Sequence, residues 1–234
     1  RKERKIIMWT IAKKELKTYF LSPIGYIFIG IFLLMCSIFF YLDVVQYGST
    51  NFEYMFYSAA TVLTFIVPIL TMRMFAEERK TGTEQLLFTS PRSITSIVCG
   101  KLLGAAMIIL ITEAFTAIYY IILTCFGTPH ITTALITLLG YFLLAMTYIS
   151  FGMFASSLTE NQIIAGVITI AFFIVTWFMP NFIEATLDFS FINVFSNTFP
   201  TGSVTLSSLV LLISTPILFT ILTILVLQRK KSVK

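Results

Sequence analysis

"TSIVCGKLLGAAMIILITEAFTAIYYIILTCF", residues 95–126, runs for 32 residues with only two charges, Lys101 and Glu113. Pieces such as "MIILI" do not alternate apolar with polar residues, as a β-barrel wall requires. The run exceeds the roughly 20 apolar residues that carry an α-helix across a bilayer. Backbone amides in lipid must be paired within their own segment or in a closed barrel, so the run reads as a transmembrane helix.

Five further apolar runs lie at 24–45, 54–75, 131–155, 162–180 and 204–227. Of the 234 residues, 57% are hydrophobic and 12% charged, and mean hydropathy is +0.92. Soluble domains carry roughly 25% charged residues, and a water-soluble core cannot absorb this much apolar surface. The predicted fold class is an all-α integral membrane protein, a single transmembrane domain over 1–234 with six spans.

Orientation follows from the 16 lysines and arginines, because basic residues in short loops stay in the cytoplasm. Seven precede the first span, from Arg1 to Lys17. Five are Arg73, Arg79, Lys80, Arg92 and Lys101, and four are Arg229, Lys230, Lys231 and Lys234. The loops on the other side hold none and carry Asp43, Glu53, Glu184 and Asp188, so both termini are expected to be cytoplasmic. These cations flank spans and form no basic domain, which argues against a nucleic-acid partner. Cys36, Cys99 and Cys125 lie in apolar runs without paired spacing, so neither a disulfide framework nor a metal site is expected. "RKERKIIMWT" at the start lacks the core and cleavage site of a signal peptide.

Between and before the spans, four segments stand out. In 1–22, Trp9, Ala12, Leu16, Tyr19 and Phe20 share one helical face and Thr10, Lys13, Lys14 and Lys17 the other, predicting an amphipathic helix in the cytoplasmic interface. The loop 77–93 has capping-box spacing at Thr81 and Glu84, predicting a helix of about two turns that ends before Pro91 and offers Leu86 and Leu87 to a partner. A second capping box, Thr159 with Gln162, is expected to open the fifth span. The segment 181–203 interleaves phenylalanines with Asn and acidic residues, too polar to cross and too aromatic for free water, predicting outer-face re-entrant helices.

Within the spans, Gly100 and Gly104 form a small-xxx-small pair that admits a close helix neighbour, and Pro68 and Pro216 are expected to kink their helices. Arg73 ends the second span, where its cation can snorkel to the headgroups. There is no Gly-rich phosphate loop and no carboxylate pair at metal spacing in the bundle, so the chain is expected to be non-catalytic and to bind no cofactor. His130, the one histidine, follows Pro129 in a short outer loop, which does not suit a protease dyad. Glu113 is the one acidic residue deep in a span. It is either neutral and hydrogen-bonded through Thr112 or Thr116, or it handles substrate or protons.

Three stretches carry a family resemblance: "KKELKTYFLSPIGYIF" (13–28), "PILTMRMFAEERKTGTEQLLFTSP" (68–91) and "SSLTENQIIAG" (156–166). Together they resemble the permease subunits of type 2 ABC transporters, most closely the gliding-motility-associated group. The resemblance implies separate ABC ATPase subunits that hold ATP and Mg, and a second permease copy or paralogue with which the chain forms a path, spans two and five facing the seam. It implies a multi-pass subunit among the lipids of a bacterial plasma membrane, working as an exporter. The helix at about 82–88 would be the coupling helix, with Glu77, Glu78, Arg79, Thr83, Gln85 and Leu86 touching the ATPase. Two alternatives stand beside it. One is a mechanotransmission unit that moves an outer-face accessory protein without transport. The other is an ion-coupled secondary transporter, against which stand the single intramembrane acid and the lack of repeated interrupted helices.

Overall fold

The computed structural model describes residues 2–85, 93–181 and 190–233, which hold helices and turns and no strand. In chain order the helices are α1 (Lys2–Leu21), α2 (Pro23–Phe39), α3 (Tyr54–Thr71), α4 (Ala76–Lys80), α5 (Ile94–Phe126), α6 (Ile131–Leu158), α7 (Gln162–Phe178), α8 (Phe191–Thr198) and α9 (Leu206–Val233). A π-helical turn, Phe40–Val45, extends α2, and a 3-10 turn, Met179–Asn181, extends α7. Leu86, Leu87, Pro91 and Arg92 of the predicted loop helix lie outside the described residues, as do Phe182, Glu184, Asp188 and Phe189 of the outer segment.

Five helical segments are long and apolar enough to cross a membrane: Pro23–Val45, Tyr54–Lys80, Ile94–Thr124, Ile131–Leu158 and Leu206–Ser232. The sixth apolar run, α7, has 17 residues, about 25 Å at 1.5 Å per residue. That is short of the roughly 30 Å of a hydrocarbon core, and a 3-10 turn of about 6 Å follows it.

α3 sits at the centre, with Ala60, Leu63, Val67 and Leu70 fully buried. Three tyrosines tie its backbone and side chains to its neighbours. Tyr141 donates to the Ala59 carbonyl at 3.1 Å, Tyr19 to the Leu70 carbonyl at 3.2 Å, and the Tyr148 and Thr64 hydroxyls meet at 3.1 Å. Hydrogen bonds of this kind keep polar groups satisfied where no water reaches. α6 crosses α3 where Gly152 faces Thr71, too close for any Cβ. α7 is held by parallel ring pairs, Phe151 on Phe172 at 3.8 Å and Tyr148 on Phe173 at 3.7 Å, with Phe219 of α9 edge-on to Phe151 at 4.9 Å. α8, capped by Ser190, buries Phe191, Ile192 and Phe195, and the following Phe199 packs against Gly140 of α6.

α1 shows its predicted polar row to the outside and packs through Ile11, which lies outside the predicted apolar row, beside Ala12 and Tyr19. Ile11, Ala12 and Tyr19 are buried and Thr10, Lys13, Lys14 and Lys17 exposed, but Trp9 is 49% exposed, with the Lys13 ammonium 5.7 Å from its ring. The reason is the seat. α1 lies directly on α5, with Ile11 over Gly100 and Glu15 over Gly104; a Cβ at either glycine would stand 2.7 Å from those side chains. The close neighbour of the small-residue pair is therefore the N-terminal helix. Gly100→Leu with Gly104→Leu is expected to lift α1 off α5, overpacking of this kind costing about 1–3 kcal/mol per site. Faster hydrogen exchange in residues 8–20 with an unchanged rate in α6 is the expected reading, and unchanged exchange in both would refute the seat.

The two capping boxes take other forms. Thr81 closes α4, its hydroxyl donating to the Glu77 carbonyl at 2.9 Å, the chain then turns through Gly82 at φ 74°, and helix resumes at Glu84 and Gln85. The α7 cap is Asn161, whose side chain accepts from Ile163 N at 2.9 Å, while the Thr159 hydroxyl accepts from Asn161 N. Asn and Ser/Thr compete for the same cap role, and spacing alone does not rank them.

Candidate functional site

α4, five residues reading AEERK, joins the end of α3 to the rest of one end of the bundle. After Thr71 the chain leaves α3, turns through Met72–Phe75 and re-enters helix at Ala76. The first amides of a helix have no partner within it, and Phe75 at the cap position supplies no side-chain bond. Ser156 of α6 does so from across the bundle. Its Oγ accepts from Phe75 N at 3.1 Å and Ala76 N at 3.0 Å and donates to the Met72 carbonyl at 3.0 Å. A hydroxyl has one proton and two lone pairs to offer, and all three are used.

Three of the four charges of α4, Glu77, Glu78 and Arg79, are paired within the molecule. Lys101 of α5, its side chain 4% exposed, donates to Glu78 at 2.8 Å and to Glu15 of α1 at 3.0 Å, under the Phe75 ring. One buried cation thus joins three helices. Arg79, 8% exposed, donates to the Ser157 carbonyl at 2.6 Å and approaches Glu84 at 3.4 Å. Lys230 of α9 reaches the same Ser157 carbonyl at 2.7 Å. Arg73, expected to snorkel, instead forms a two-pronged pair with Glu77, both bonds at 2.6 Å. Such bidentate pairs fix geometry as well as charge. The contacts of α1 and α9 put both ends of the chain at the end of the bundle that carries α4.

The six residues predicted to touch a partner therefore divide. Glu77, Glu78 and Arg79 are spent on Arg73, Lys101 and Ser157. Thr83 and Gln85 are exposed, as are Lys80, Thr81 and Gly82, and Leu86 lies outside the described residues. Sequence reasoning missed Ser156, Glu15 and Lys101 as members of the site. A lysine six residues inside an apolar run was the available signal for Lys101.

Glu113 is 8% exposed, about 18 Å along α5 from Lys101 at 1.5 Å per residue. The Thr112 and Thr116 hydroxyls donate to the backbone carbonyls of Ile108 and Glu113, so neither serves the Glu113 carboxyl as expected, and its Oε1 is buried without a hydrogen bond. At the opposite end, burial raises the carboxyl pKa of Glu53, ahead of α3. Among the described residues no three His, Cys, Asp or Glu side chains converge as metal ligands do.

The family model described as "ABC-2 family transporter protein" matches residues 41–228, most of the chain. No curated protein matches it.

Proposed function

Because the chain belongs to the ABC-2 family of transporter proteins and is thereby a permease subunit of an ABC transporter, we propose that it works as an exporter driven through α4. Members of this family are generally non-catalytic, the ATPase being a separate subunit. In this reading ATP and Mg are held by partner ATPase subunits, six spans cross a bacterial plasma membrane, both termini face the cytoplasm, and α1 lies at its surface. A second permease, copy or paralogue, completes the path. The apolar outward face of α7, with Ile163, Val167 and Val175 exposed, suits that seam better than α3, which is largely enclosed.

The observation that carries the reading is the wiring of α4. The apex that follows it, from Lys80 to Gln85, is exposed apart from Glu84, while its base is bonded to α5 and α6 and, through Lys101, reaches Glu15 of α1. A push on the apex reaches those helices as a rigid displacement, which is what coupling to a closing ATPase pair demands. The ATPase contact is accordingly assigned to Lys80, Thr81, Thr83 and Gln85, with Leu86 next in line, while Glu77, Glu78 and Arg79 act as braces.

Thr83→Trp with Gln85→Trp is expected to cut co-purification of the ATPase at least about tenfold, as loss of a central interface contact does, with the melting temperature of the permease unchanged. Glu77→Gln should leave co-purification near wild type. Full retention in the tryptophan variant would remove the apex from the interface.

A further inference from the structure

α1 packs one side on α5 and turns a row of lysines the other way. Ile11 stands over Gly100 and Glu15 over Gly104, residues four apart on both helices, so α1 and α5 run side by side in the same direction there. At about 100° per residue, Lys13 and Lys17 lie on the far side of α1 from that seat and Lys14 on its flank, and all three are exposed. The Lys13 ammonium lies 5.7 Å from the Trp9 ring and Lys14 is within electrostatic reach of Glu78. None of the three forms an ion pair among the described residues. Glu15, the one acid in residues 8–21, is taken by Lys101. The outward side of α1 is therefore positive and carries no acid of its own.

The depth of the seat names the partner. Gly104 and Gly100 lie 22 and 26 residues before Phe126, the last residue of α5, about 33 and 39 Å along the helix. With Phe126 at the outer edge of the hydrocarbon and α5 tilted by about 20°, the average for transmembrane helices, these become depths of about 31 and 37 Å. The hydrocarbon is about 30 Å thick and each headgroup layer adds about 6 Å. The seat, and the lysines level with it, thus fall among the headgroups at the end of the bundle that carries α4. Ser22 alone separates α1 from α2, which holds α1 where a span enters the membrane. Trp9, Lys13, Lys17 and Leu21 follow one another at four-residue spacing, and Trp9 and Leu21 are exposed like the lysines. Lysines flanked by an indole and a leucine are the composition of a helix that meets a membrane interface.

We propose that Lys13, Lys14 and Lys17 bind anionic phospholipids of the cytoplasmic leaflet, whose charge holds α1 on its glycine seat. The negative surface of that leaflet favours a basic segment by about fivefold in binding per lysine. The proposal rests on the reading that the α4 end faces the cytoplasm and deepens it by naming the lipid class. It does not need the coupling role of α4, which the apex variants test separately. Because Glu15 shares Lys101 with Glu78, lipid drawn to one side of α1 steadies the brace of α4 on the other.

The test places the full chain in nanodiscs of phosphatidylcholine alone and of phosphatidylcholine with phosphatidylglycerol, and compares amide exchange in residues 8–20. Phosphatidylglycerol is expected to slow wild-type exchange there at least about fivefold, the worth of one lysine, with α6 unchanged. Lys13→Gln with Lys14→Gln and Lys17→Gln should exchange alike in both discs, while arginine at the same three positions should behave as wild type. Unchanged wild-type exchange, or equal slowing in the glutamine variant, would overturn the proposal. Equal slowing by soluble inorganic phosphate in phosphatidylcholine discs would overturn the lipid assignment. Slowing that appears only when the ATPase is bound, whatever the lipid, would give the lysine row to the ATPase and likewise overturn it.

Discussion

Lys101→Met is expected to lower the stability of the bundle by about 3 kcal/mol, the lower end of the cost of removing one partner from a buried ion pair. For a chain of this length that corresponds to a fall of roughly 6–12 °C in melting temperature. The loss arises less from the missing attraction than from what remains. Glu15 and Glu78 are held 3.0 and 2.8 Å from the ammonium, and without it two carboxylates would share a poorly hydrated space with no cation. They would part, α1 leaving its glycine seat and α4 its brace. The comparison that isolates this cause is Lys101→Met combined with Glu15→Gln and Glu78→Gln. Removing all three charges should restore most of the stability, since replacing a whole buried ionic group by neutral residues is often close to neutral. A single variant melting with wild type, or a triple variant as unstable as the single one, would rule out the ionic account.

The second large effect is at Ser156. Ser156→Ala leaves Phe75 N and Ala76 N buried and unpaired, each costing about 1–3 kcal/mol, and frees the half-buried Met72 carbonyl. The amides of residues 75 and 76 should lose roughly 100-fold of their protection from hydrogen exchange, a loss of about 3 kcal/mol. The damage should stay local, because the aromatic stacks between α6 and α7 and the tyrosine bonds to α3 do not involve this hydroxyl. In the assembled transporter the variant is expected to keep its ATPase partner, since the apex is untouched, while ATP hydrolysis ceases to move the spans. Wild-type protection at residues 75 and 76 would show that α4 does not depend on this cap.

These two residues mark where sequence reading stops. The apolar runs were legible as helices because the length of a bilayer-crossing helix is imposed by lipid and needs no knowledge of neighbours; all six are helices, and five of them are long and apolar enough to cross a membrane. The clustering of basic residues is the signal that assigns both termini to one side. Thr81 was not legible, because Thr-x-x-Glu fits an N-cap and the structure uses the threonine to close the helix before it. Trp9 was read as part of an interfacial apolar face, while the glycines of α5 select Ile11, outside that row, and Glu15 as the contact row. Ser156 and Lys101 act on residues roughly 80 and 86 positions away in the chain, and no local pattern encodes such a partnership.

α4 has five residues, of which Ala76 alone is buried as a whole residue. An isolated helix shorter than about 12 residues does not persist in water, and a peptide of residues 76–80 would be a coil. Its helicity is therefore borrowed, lent by a serine on α6, a lysine on α5 and a carbonyl at the end of α6. A spectroscopic probe of α4 alone would report whether three other parts of the molecule are correctly assembled, which makes this shortest element the natural gauge of the whole.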